Sequence, residues 1–129
     1  MTSLAEDRDE IRDLYGRYCL HVDTGTPEQL ADLFTPDGEF GGVVEPVIGT
    51  EALRRFAAEN LARGGGMHHM VSNMSIDVDG DDAVGTASVA IYLGGAPAIV
   101  GRYRDELRRV DGRWKFSRRN FMPDPRPAP

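Results

Sequence analysis

The chain has 129 residues, a formal net charge of −6 at pH 7, 40% hydrophobic and 28% charged residues, and one cysteine, Cys19. That length suits a single domain with a real core, and a lone cysteine excludes an internal disulfide. The acidic balance opposes nucleic-acid backbones, and no apolar run approaches the ~18 residues of a membrane span.

The acidic opening MTSLAEDRDE lacks an apolar signal core, so a cytoplasmic protein is expected. Arginines cluster late, at Arg102, Arg104, Arg108, Arg109, Arg113, Arg118 and Arg119, with Asp105, Glu106 and Asp111 among them. Mixed signs read as a solvated sheet face and not as a nucleic-acid stripe.

From about Leu4 to Val22, apolar residues recur at Leu4, Ile11, Leu14, Tyr15, Tyr18, Cys19 and Val22. This spacing predicts one face of a helix, with Asp23 at the edge of the stripe and the end near Thr24-Gly25. Thr26-Pro27-Glu28-Gln29 then reads as a capping box with proline in the first turn, opening a second helix through Leu30, Leu33 and Phe34. Thr35-Pro36-Asp37-Gly38 carries turn chemistry and is expected to stop it. Glu39 to Ile48 reads as strand material weakened by Gly41-Gly42 and Pro46, so a bulge or an edge position is expected. Thr50 is expected to cap a third helix, with Leu53, Phe56, Ala57, Asn60 and Leu61 on one face, ending at Arg63-Gly64.

Strands follow the break Gly64-Gly65-Gly66. Alternation predicts them over residues 67–78, 83–93, 98–109 and 114–121, with turns at Asp79-Gly80-Asp81-Asp82, Gly94-Gly95-Ala96-Pro97 and Asp111-Gly112. Residues 123–129 are proline-rich and are expected to be an extended or disordered tail behind a single domain spanning 1–122. Helices first and long strands afterwards predict an α+β fold. Its curved mixed or antiparallel sheet would wrap on the N-terminal helices as a cone-shaped α+β barrel.

Two of the three histidines open the first long strand, in MHHMVSN. Alternation sends His68 and His69 to opposite faces, so one can look into an interior and move protons near neutral pH. Adjacent strand histidines are poorly placed to share one ion, and no ligand spacing supports a metal.

The segments DLYGRYCLHVDTGTPEQLADLFTPDGEF, MHHMVSN and ELRRVDGRWKFSRRNF resemble the SnoaL-like branch of the nuclear transport factor 2-like superfamily, over about residues 5–122. Relatives in that branch include scytalone dehydratase, lindane dehydrochlorinase, bile-acid dehydratases and polyketide cyclases. The resemblance implies a cofactor-independent enzyme in which Asp23 orients His69, and His69 takes a proton from the substrate. It matches Arg119 to an arginine of the dehydrochlorinase site. A lysine of that site falls at Tyr18, whose hydroxyl donates a neutral hydrogen bond and suits dehydration better than halide loss. Tyr15 or Tyr18 could polarise a carbonyl or hold the leaving water, and Asn73 is a candidate pocket residue. The expected ligand is a small apolar or cyclic, polyketide-like molecule, and the resemblance implies a homodimer or homotrimer. The alternative is a non-catalytic ligand carrier or a small structural subunit of a ring-hydroxylating dioxygenase.

Overall fold

A computed structural model describes residues 2–42, 45–62 and 66–125 of the chain. Helix α1 runs Leu4–Thr24 and is opened by Ser3, whose hydroxyl accepts from the Glu6 N–H while the Glu6 carboxylate returns the bond. Its buried face is Ile11, Leu14, Tyr15, Tyr18, Cys19 and Val22. Leu4 lies outside that face, half exposed, and Asp7 is buried in its turn of the helix. Arg109 makes two hydrogen bonds to the Asp7 carboxylate and stacks on Trp114, 4.7 Å from its ring centre. Chiefly through that bond, the Asp7 pKa is lowered to about 2.

Helix α2 covers only Pro27–Ala31, held by the expected capping box between Thr26 and Gln29. The helix stops short of Leu33 and Phe34 because the sheet claims them. The Phe116 N–H donates to the Leu33 carbonyl at 2.9 Å, and Phe34 begins strand β1, Phe34–Gly42. Thr35-Pro36-Asp37-Gly38 is therefore an irregular stretch inside β1 and not a separate turn, with the register shifting between Phe34 and Glu39. Strand β2 is Val47–Ile48 and helix α3 is Thr50–Ala62, burying Leu53 and Ala57. The expected helix end at Arg63-Gly64, and Gly65 after it, lie outside the described residues.

Strands β3 (Met67–Asp79), β4 (Asp82–Leu93), β5 (Ala96–Val110) and β6 (Arg113–Pro123) complete one sheet, ordered β2-β1-β6-β5-β4-β3. All neighbours are antiparallel except β1 and β6, which run parallel. The sheet is mixed and stays open, without closing into a barrel. Pro123 is not the start of a loose tail: it pairs with Gly101, and the Asp124 N–H donates to the Val100 carbonyl at 2.8 Å. Residues 126–129 of the expected tail lie outside the described residues.

The helices cover one face of the sheet, with α1 against β3 and α3 against α2 and β1. Between the layers sits an aromatic core of Tyr15, Tyr18, Phe34, Tyr103 and Phe116, all 3% exposed or less. Among the described residues no helix is long and apolar enough to cross a membrane.

Two one-residue bulges decide which side chains reach this core. In β3, Ser72 pairs with Ser88 and Ser75 with Thr86, so two residues oppose one. His69 and Ile76 are seven apart and would face opposite ways on a regular strand, yet both are buried. In β6, Phe116 pairs with Leu107 and Arg118 with Glu106, leaving Ser117 extra. That bulge turns both Phe116 and Arg119 inward. Each bulge resets the alternation that the sequence would otherwise impose.

Candidate active site

Asp23 ends the buried stripe of α1, and His69 stands near the start of β3, on the inner face. The packing of α1 across β3 brings them together. One carboxylate oxygen of Asp23 accepts from His69 Nδ1 at 2.6 Å. The other accepts from the His69 backbone N–H at 2.8 Å. Both side chains are 10% exposed or less.

The double contact has a structural cause. Strand β3 is an edge strand, and the His69 N–H points away from β4, where it would otherwise lack a sheet partner. Asp23 satisfies that donor and, with its second oxygen, fixes the ring. An ionised carboxylate can only accept, so Nδ1 carries the hydrogen and Nε2 presents its lone pair. Among the described residues nothing hydrogen-bonds Nε2. Burial lowers the His69 pKa below its ordinary 6.5, with Asp23 opposing the shift, so the imidazole is neutral at pH 7.

On the sheet the nearest inward neighbours of His69 are apolar. Ile91 lies opposite His69 across the β3–β4 ladder, and Val71 is the next inward residue on β3. His68 faces outward and is exposed, while His21 is half-buried at the α1 surface. Cys19 is buried one helical turn before Asp23, and burial pushes its thiol up to about 11, which leaves it a small hydrophobe.

The remaining candidates separate. Tyr18 is 2% exposed and packs edge-on against Tyr103, with ring centres 5.8 Å apart. Arg119 is wholly buried and forms a bidentate pair with Asp105, at 2.9 and 3.1 Å. Burial opposes the guanidinium charge, but Asp105, together with Tyr103 and Tyr18, outweighs it, and the Arg119 pKa is raised. Tyr15 is sealed, its hydroxyl lying against Gly85 where an added Cβ would overlap it. Asn73 departs from expectation. It sits in the β3 bulge with φ 51°, is exposed, and its amide faces Ser88 at 3.5 Å instead of the dyad. The extra residue of the bulge has no inward place to occupy.

Reading the sequence missed Tyr103 and Asp105. The signal was present in Arg102-Tyr103-Arg104-Asp105-Glu106-Leu107, where period two sends Tyr103, Asp105 and Leu107 to one face. Two clefts of about 410 and 420 Å³, both lined by Asp77, Val84 and Glu106, open on the outer face of the sheet, away from the dyad. Among the described residues no group of three or more His, Cys, Asp or Glu is arranged to hold a metal ion.

A model of the SnoaL-like domain matches residues 3–120. No curated protein matches the chain. Among solved structures it is similar to Rv3472 of Mycobacterium tuberculosis, a protein of unknown function solved as an Asp-to-Asn variant. That match has 30% identity and a TM-score of 0.86, over 95% of this chain and 76% of that one. A candidate scytalone dehydratase from Novosphingobium aromaticivorans matches at 27% identity and a TM-score of 0.81, over 94% and 86% of the two chains. LinA matches at 26% identity and a TM-score of 0.82, over 94% and 88%.

Proposed function

The chain belongs to the SnoaL-like domain family, and from that premise we propose that it is a cofactor-independent lyase or isomerase of the dehydratase type. The observation that carries this reading is the two-point hold of Asp23 on His69, through Nδ1 and the backbone N–H. A ring fixed in one tautomer, neutral, and set among the apolar strand neighbours Val71 and Ile91 is suited to accept a proton at Nε2.

In the dehydration branch, Nε2 takes a proton from a carbon next to a carbonyl, and the C–H electron pair moves toward the carbonyl. Asp23 stabilises the imidazolium that forms. The electrons then return to make the carbon–carbon double bond as a β-hydroxyl departs, taking the proton from Nε2 and leaving as water. In isomerisation the same proton goes back to a different carbon. Tyr18, a neutral donor, suits an oxygen of the substrate better than a departing halide. The substrate class is a small, mostly apolar cyclic or polyketide-like carbonyl compound. The candidate scytalone dehydratase among the similar structures supports dehydration over the other branches.

We further propose that copies of the chain associate through the outer face of the sheet, where Met70, Val84, Val100 and Met122 are exposed.

The test of the mechanism is His69→Ala, assayed on cyclic β-hydroxy carbonyl compounds turned over by the unaltered protein. Turnover is expected to fall at least ~100-fold while circular dichroism is unchanged, since positioned base catalysis supplies roughly 10²–10⁴-fold. Turnover within a few-fold of the original rejects His69 as the base.

A further inference from the structure

Most of the late arginines are answered within the chain. Arg108, Arg109, Arg113, Arg118 and Arg119 each hold a carboxylate of their own chain. Arg102 and Arg104 are exposed, and among the described residues neither has a carboxylate within ion-pair distance. Three exposed acids, Asp77, Asp79 and Asp82, likewise have no cation within that distance among the described residues.

These unanswered charges share the outer face of the sheet. Cross-strand pairing sets Thr86 beside Arg104, and Val84 beside Asp77 in the next row. Asp79 and Asp82 pair in the row after that. The cations therefore lie on β5 and the acids on β3 and the start of β4. At ~4.8 Å per strand and ~3.4 Å per residue, the two groups are about 15 Å apart. Val84, 53% exposed, stands between them. It is a shared wall of the two outer clefts, one lined by Arg104 and the other by Asp79 and Asp82.

Such a surface is complementary to itself. A two-fold axis in the plane of the sheet, passing over Val84 and Thr86, exchanges its two ends. Each basic end then meets the acidic end of the other copy, and the two Val84 side chains meet at the centre. A three-fold ring needs two patches that face different ways, whereas both charged groups here lie on one face. Apolar contact alone would strip water from Arg102 and Arg104 and leave them unpaired, which is costly. Opposite charges from a second copy remove that cost and fix the register. The acids on the same face oppose a nucleic acid as the occupant.

We propose that the chain forms a two-fold homodimer in which Arg102 and Arg104 of each copy meet Asp77, Asp79 and Asp82 of the other. This inference rests on the association through the outer face proposed above, and adds its symmetry and the charges that select it.

The test is charge exchange, read by size exclusion coupled to light scattering. The unaltered protein should have the mass of a dimer, and its association should weaken as salt is raised. Arg102→Glu with Arg104→Glu in one variant, and Asp77→Lys with Asp82→Lys in another, should each weaken self-association at least ~10-fold. Mixing the two variants should restore a dimer holding one copy of each, because both contacts of that pair are again between opposite charges. Should either variant melt early, Arg102→Gln with Arg104→Gln provides the second reading, and its residual association should lose the salt dependence. Dimers that persist in both charge variants, or variants that stay monomeric when mixed, overturn the proposal. A trimeric mass for the unaltered protein overturns the two-fold arrangement and leaves association through the face standing. A monomeric mass removes that association, and this inference with it.

Discussion

Asp23 spends both carboxylate oxygens on a single residue, so the ring and the backbone of His69 are positioned by one group. An asparagine there has one acceptor oxygen and no charge. Asp23→Asn should therefore lower kcat roughly 10²–10⁴-fold, because the imidazolium loses its counter-charge and the tautomer is no longer enforced. A pH–rate profile provides a second readout. The active form is the neutral imidazole, and burial sets its pKa below 6.5, so activity should rise with pH along a limb centred below that value. Removing the Asp23 charge leaves burial less opposed and should move the limb to lower pH. The same shift affects stability. The unfolded histidine takes up a proton first as pH falls through 6.5, so the contribution of this group is intact above 6.5 and declines toward the folded pKa. A limb centred above 6.5 would contradict the neutral, buried base. At this scale the sequence was informative about Asp23 and His69, whose places follow from a helix stripe and a strand alternation. It misled at Asn73, because a bulge removes a residue from the face that alternation assigns to it.

Bulges are the elements on which the interior depends. Ser117 is the residue that lets Phe116 and Arg119 share one face, and the pair at Asn73 and Met74 does the same for His69 and Ile76. Deleting Ser117 would turn either Arg119, Phe121 and the end of β6 or Phe116 and Trp114 outward. The deletion is expected to abolish the cooperative thermal transition, whereas Ser117→Ala, which keeps the residue count, should cost less than about 1 kcal/mol. A cooperative melt in the deletion variant would show that the register can slip without penalty. Long strands were visible in the sequence to within a few residues at each end, through their period and their Asp-Gly and Gly-Gly turns. The bulges were not. An extra residue is defined by what the neighbouring strand fails to supply opposite it, and no single strand records that. The shortened α2 has a similar origin: Leu33 and Phe34 fit the helical spacing, and pairing with Phe116 overrides it.

For the whole molecule, one face of the open sheet is covered by helices, and the other carries arginines and acids interspersed with exposed Met70, Val84, Val100 and Met122. Self-association there should appear as a homo-oligomer on size exclusion coupled to light scattering. Val100→Asp should shift it toward monomer without changing the melting curve of the fold. A monomer in the unaltered protein would remove that face as an interface between copies. The sequence by itself determined the α+β class, the order of the elements, and the two chain segments that carry an acid and a base. Those features rest on local period, capping and turn chemistry, which neighbouring residues specify. Only the tertiary structure decided that Asp23 grips the edge of β3 as well as its imidazole, that Arg119 is sealed beside Asp105 against Tyr103, and that Asn73 faces away. Each of these depends on register between strands and on the packing of α1 across them, and such long-range pairings are set by complementary surfaces far apart in the chain.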